Sequence, residues 1–169
     1  MNQAKSLDQA LAAAFLKADH LPAPLDQRLK LYLGESRQLL PEMEATYDQL
    51  VARIAYNVRA SNQMPAIGEV LPEFCLTDSQ GKLVELAALL DKAPHVISFN
   101  RGPWCDYCGL ELRSLTRAYP EIVAAGGDVV SIVPETAKYA RNLQATRGVP
   151  FRISAMPSVW GSCSGSAKS

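Results

Sequence analysis

"HVISFNRGPWCDYCGLELRSL", residues 95–115, is the stretch whose reading decides the fold. It opens as an apolar, β-branched run with the composition of a buried strand. Gly102 and Pro103 interrupt that run, and the residues after them follow a helical pattern. Cys105 and Cys108 stand three apart where strand gives way to helix. The expected arrangement is a central strand ending near Asn100, then a short loop, then a helix with both cysteines in its first turn. Free backbone N–H groups and the positive end of the helix dipole gather there and favour a thiolate over a thiol. Two side chains at i and i+3 share one helix face, close enough for a disulfide. Trp104 and Tyr107 are expected to shield the sulfurs, and Arg101 to add positive charge. One sulfur should be partly exposed and the other more buried.

Three readings of the pair compete: a redox couple, half of a metal site, and two inert core residues. A structural metal needs about four ligands. Beyond the pair the chain offers Cys75, Cys163, His20 and His95 at scattered positions, with no second C-x-x-C, so no metal is expected. Buried cysteine is common, but Trp-Cys-x-x-Cys at a strand-to-helix junction is not a usual core pattern. The redox reading leads.

Downstream, "GDVVSIV" reads as a second buried strand. "PETAKYARNLQATRG" reads as a helix with Pro134 at its start and Gly148 just past its end. Strand, helix, strand, helix over 95–147 argues for an α/β fold with a parallel sheet and right-handed crossovers. Upstream, "EFCLTDSQGKLVEL" has two short apolar runs around a D-x-x-G turn and reads as a hairpin. Its Cys75 is expected in the core, and His95 is read as structural. "LAALLDKA" is a short helix.

Residues 1–64 carry a different pattern, an α-helical N-terminal arm. Leu7, Leu11, Ala14 and Phe15 share one helix face, "LPAP" breaks the chain, and Pro41 opens a third helix at a position proline tolerates. In that helix Met43, Tyr47, Leu50, Val51, Ile54 and Val58 recur at helical spacing. So apolar a face should pack on the chain's own sheet domain or on a second subunit. "NQMPAIGEVLPEF" links the arm to a domain expected over 65–151, and 152–169 reads as an irregular tail.

The 169 residues hold 17 basic and 17 acidic side chains, a formal charge of zero. No basic stripe points to nucleic acid and no polybasic cluster to a membrane surface. No apolar run is long enough to span a bilayer, and the N-terminus lacks a signal-peptide pattern. A cytoplasmic setting is expected, where a close cysteine pair is more often catalytic or metal-binding than a staple. The absence of a glycine-rich nucleotide loop leaves no organic cofactor to expect.

"FNRGPWCDYCGLELRSL", with "IGEVLPEFCLTDSQGKLVELAALL" before it and "GGDVVSIVPETAKYARNLQATRGVPF" after it, resembles the thioredoxin-fold peroxiredoxins. More closely it resembles the peroxiredoxin-like branch of the alkyl hydroperoxide reductase and thiol-specific antioxidant family. The resemblance runs over about residues 68–151. It implies a thioredoxin-like sheet with flanking helices, hydroperoxide as substrate, a thioredoxin- or glutathione-type thiol as reductant, and a homodimer. "WCDYC" is similar to the thioredoxin pattern, in which the first cysteine attacks, here Cys105. "CGLEL", with Glu111, is similar to the peroxiredoxin C-x-x-E-L, which makes Cys108 the attacking residue, and for a peroxide the expectation falls on Cys108. On that alignment Cys105 replaces a threonine or serine and Arg101 a proline. Both alignments imply a Cys105–Cys108 disulfide in the oxidised protein. Thiol–disulfide exchange on the same pair is the second enzymatic expectation, and a redox-silent interaction protein the non-enzymatic one.

After Arg147 the chain has 22 residues (169 − 147). A further strand hairpin and closing helix need about 25 or more. Pro157, Gly161, Gly165 and repeated serines argue against both. The expectation is an incomplete sheet with an open edge or an exposed apolar face. Peroxiredoxins carry a supporting arginine in that part, so weakened peroxidase activity is expected. Met156–Pro157 is a candidate imitation of the thioredoxin cis-proline, and Cys163 a candidate mobile resolving thiol.

Overall fold

The computed structural model describes residues 2–61 and 65–156. The chain divides into two compact units, Met1–Pro72 and Glu73–Ser169. No helix among the described residues is long and apolar enough to cross a membrane.

The first unit contains α1 (Asn2–His20), α2 (Leu25–Leu39) and α3 (Pro41–Ser61). Ala14, Phe15 and Ala18 of α1 are buried with Tyr32 of α2. The rings of Phe15 and Tyr32 meet edge to face with centroids 6.2 Å apart, a preferred aromatic geometry. Lys17 reaches Glu35 at 2.6 Å across the hairpin, and Arg37 reaches Asp48 at 2.6 Å, tying the end of α2 to α3. Pro41 opens α3, where its missing N–H costs nothing. In the single chain the apolar face of α3 stays open. Met43, Leu50, Val51 and Ile54 are each between 39% and 55% exposed.

The second unit is a five-stranded mixed sheet with helices. It contains β1 (Cys75–Asp78), β2 (Leu83–Glu85), α4 (Leu86–Leu90), β3 (His95–Phe99), α5 (Asp106–Ala124), β4 (Asp128–Val133), α6 (Ala137–Arg147) and β5 (Arg152–Ala155), with strand order β2-β1-β5-β4-β3. The β1–β2 hairpin turns at Gly81, whose φ of +83° suits a residue without a Cβ. Asp78 closes the turn by accepting from the N–H groups of Gln80 and Lys82, each at 2.9 Å. Strands β3, β4 and β5 run parallel, with Ile97 beside Val130 and Val130 beside Arg152, and β1 pairs antiparallel with β5. Val129, Val133, Leu112, Leu143, Phe151 and Ile153 form the heart of the core. Continuous burial on both faces explains why β4 has no polar alternation.

Four expectations are corrected. The stretch 152–155 is not tail: "RISA" forms β5 and sits inside the sheet between β1 and β4, because its Ile153 and Ala155 complete the core. The strand before the cysteines is not central but lies at the sheet edge. Asn100 donates its N–H to the Ile132 carbonyl at 2.8 Å, and the Pro94 carbonyl accepts from Asp128 at 2.9 Å. Alternation then turns the backbone groups of His95, Ile97 and Phe99 toward the open side, and no other described strand pairs there. Phe99 is 57% exposed. Third, Pro134 does not start the last helix. Thr136 does, because its hydroxyl accepts the Tyr139 N–H at 3.3 Å and caps the first turn. Fourth, Cys75 is half-buried rather than core, since the alternation of β1 gives the inner face to Phe74 and Leu76. Pro157, Gly161, Cys163 and Gly165 lie outside the described residues.

Candidate active site

Strand β3 ends at Phe99 and the chain then turns sharply. The Asn100 side chain accepts from the Gly102 N–H at 2.8 Å and holds the turn. Gly102 takes φ +126°, and an added Cβ there would meet Trp104 Nε1 at 2.9 Å. That turn delivers Cys105 to the N-cap of α5 and Cys108 to its first turn.

The sulfurs are 2.7 Å apart, with the Cys108 thiol donating to Cys105 Sγ. Cys105 Sγ also accepts the Cys108 backbone N–H at 3.3 Å, so a sulfur fills the capping role that a serine or aspartate oxygen usually takes. The Arg101 guanidinium gives Cys105 Sγ a third donor through Nη2 at 3.2 Å. Cys108 Sγ accepts the Arg101 backbone N–H at 3.3 Å. Burial, and then the hydrogen bond from Cys108 to Cys105, push the Cys108 thiol up from 9.0 to about 11, with the Arg101 N–H opposing. At neutral pH Cys108 therefore holds its proton. Burial works to lower the Arg101 guanidinium, but hydrogen bonding and charge at Cys105, and then at Cys108, together outweigh it and hold Arg101 above its ordinary value.

Every described site residue read from the sequence lies on the β3–α5 junction or on α5. Arg101 lies over the Trp104 ring, 5.3 Å from its centroid, so Trp104 steadies the guanidinium, a role not anticipated for it. Tyr107 is half-buried in the first turn of α5. Glu111, one turn after Cys108, accepts a 2.9 Å hydrogen bond from Ser98 of β3. One expectation fails. Neither sulfur is the exposed one: Cys105 is 3% and Cys108 6% exposed, because the turn folds over both. Asn100, Gly102 and Ser98 were not singled out from the sequence. The Asn-x-Gly spacing after a strand is a turn signal that points to the first two, whereas nothing local marks Ser98.

A mixed sheet whose parallel strand feeds a helix capped by a cysteine pair is the thioredoxin-like fold, in its peroxiredoxin-like form. The chain belongs to the AhpC/TSA family, which it matches over residues 67–157. It is similar to the thiol-disulfide oxidoreductase ResA of Bacillus thuringiensis (strain Al Hakam), with 27% identity over 95 residues, 56% of this chain and 54% of that protein. The match to ResA of Bacillus anthracis has the same extent and identity. The chain thus spans about half the length of the curated relatives it matches. Among solved structures, Peroxidoxin BcpB from Mycobacterium tuberculosis aligns with a TM-score of 0.49 and 19% identity, over 52% of this chain and 57% of that one.

Proposed function

We propose that this chain is a thiol oxidoreductase that reduces hydroperoxides through Cys105 and Cys108, with Cys105 attacking and Cys108 resolving. The observation that carries the reading is the convergence of three donors on one sulfur: the Arg101 guanidinium, the Cys108 N–H and the Cys108 thiol all point at Cys105 Sγ. Donors of that kind stabilise a thiolate. Cys108, with its proton held, is the poorer first nucleophile. This order reverses the one implied by the peroxiredoxin alignment.

In the first step the Cys105 thiolate attacks the terminal peroxide oxygen and the O–O bond breaks. The other oxygen leaves as alkoxide or hydroxide and takes a proton from solvent to give the alcohol or water, and Cys105 becomes a sulfenic acid. Arg101 is placed to stabilise the charge that develops on the leaving oxygen. In the second step Cys108 loses its proton and attacks the Cys105 sulfur. Water leaves and the disulfide forms. Two electrons from a thioredoxin- or glutathione-type reductant restore both thiols. A reducing, cytoplasmic compartment suits this cycle. The sheet unit, with β5 included, would carry the chemistry and the arm over 1–64 assembly.

A second reading is thiol–disulfide exchange on a disulfide substrate, favoured by the position of Cys105 at the helix N-cap and by the curated relatives' name. Rates of hydrogen peroxide consumption and of insulin disulfide reduction, each driven by dithiothreitol, separate the two. The proposal expects peroxide turnover that falls at least ~1000-fold in Cys105→Ser. Insulin reduction without peroxide turnover would establish the second reading. Neither activity, with no reversible disulfide, would make the chain a redox-silent interaction protein.

A further inference from the structure

We infer that α3 is an assembly helix that pairs antiparallel with α3 of a second copy of this chain. Met43, Tyr47, Leu50 and Ile54 follow one another at intervals of four, three and four residues, the seam of a heptad repeat. Val51 lies beside that seam. A helix of this length buried against nothing would leave a continuous apolar stripe in water, which folded chains avoid. Met43, Leu50, Val51 and Ile54 are nonetheless all open to solvent in the single chain.

The charges say what covers the stripe and in which direction. Glu42 and Asp48 lie in the first half of α3, Arg53 and Arg59 in the second, and all four are exposed. A parallel pair would lay acid on acid and base on base. An antiparallel pair lays the acidic half of each helix along the basic half of the other and sets the two helix dipoles head to tail. Asp48 already pairs with Arg37 at 2.6 Å, and its second carboxylate oxygen remains available as an acceptor. With Leu50 of each copy opposite Ile54 of the other, the seam centres on Ala52. Tyr47 then faces Asn57, the seam position where the repeat turns polar. A phenol and an amide can hydrogen-bond there, and a polar seam pair of this kind fixes register. At 21 residues, α3 offers three heptads and about 31 Å of contact. The pairing holds whether or not Cys105 reacts with peroxide.

Sedimentation equilibrium of the full chain should show a reversible dimer. Leu50→Glu combined with Ile54→Glu should weaken it by at least ~100-fold in dissociation constant, with the far-ultraviolet circular dichroism unchanged. Hydrogen–deuterium exchange of the unaltered chain at about 5 and about 200 µM gives a readout that needs no variant. Exchange in residues 47–58 should slow at the higher concentration. A monomer at the higher concentration would overturn the inference. So would a dimer whose concentration-dependent protection falls on β3 rather than α3, or one that forms equally well with both substitutions in place.

Discussion

A methyl group added at Gly102 would meet Trp104 Nε1 at 2.9 Å, from a backbone φ of +126° that residues with a Cβ avoid. Trp104 is also the ring on which Arg101 rests, so the clash passes to the guanidinium that reaches Cys105. Gly102→Ala is expected to destabilise the chain by about 1–3 kcal/mol and to slow alkylation of Cys105, measured by urea unfolding and by timed iodoacetamide labelling. Cys108 gives a prediction with a defined pH window. Its thiol lies above its ordinary value, at about 11 against 9.0. A group raised on folding adds stability that is full below the unfolded value and lost as pH rises through the folded one. The reduced protein should therefore lose stability between about pH 9 and pH 11, and Cys108→Ala should flatten that loss in urea titrations across the range. At neutral pH iodoacetamide should modify Cys105 before Cys108. Four members of this site, Arg101, Trp104, Cys105 and Cys108, are legible in a run of eight residues, because a turn and a helix start are local events. Ser98 is not, since its bond to Glu111 exists only once β3 and α5 have packed.

Among the elements, β3 and β4 show what packing adds to pattern. Both were readable as apolar runs, and the β1–β2 hairpin as two runs around a glycine turn. Strand order was not readable, because pairing joins segments far apart in the chain. That is why β3 was expected at the centre and "RISA" in a tail, when β5 lies inside the sheet and β3 at its edge. The reading of Pro134 as the start of α6 failed on a local competition that Thr136 wins. The open side of β3 carries no charged side chain to guard it, and Val96 and Phe99 are exposed there. Val96→Lys should lower light scattering on concentration without changing the melting temperature by more than a few degrees. Unchanged scattering would show that this edge is already protected. In β4 the Ser131 hydroxyl is fully buried and has no hydrogen-bond partner among the described residues, as is also true of Ser154 in β5. Ser131→Ala removes a desolvated polar group at little cost in volume and should stabilise the chain by about 1 kcal/mol. Urea unfolding measures this, and destabilisation of similar size would mean the hydroxyl has a partner.

At the scale of the whole molecule the proposals give the two units different work. The sheet unit holds the cysteine pair at a helix N-terminus, and the arm presents an apolar seam suited to a second copy. The sequence shows a break in composition near residue 65, while the two compact units part at Pro72 and Glu73; the exposure of α3 needed the coordinates. Everything proposed for the chemistry depends on which sulfur reacts first. The alignment to peroxiredoxins favours Cys108, and the donors gathered on Cys105 favour the other. The most direct test is mass spectrometry of reduced Cys108→Ser after one equivalent of hydrogen peroxide in the presence of dimedone, with Cys105→Ser treated alongside. A dimedone adduct on Cys105 in the first variant, and none on Cys108 in the second, is the predicted result. An adduct on Cys108 in the Cys105→Ser variant, with Cys105 left as a free thiol in the other, would contradict the account.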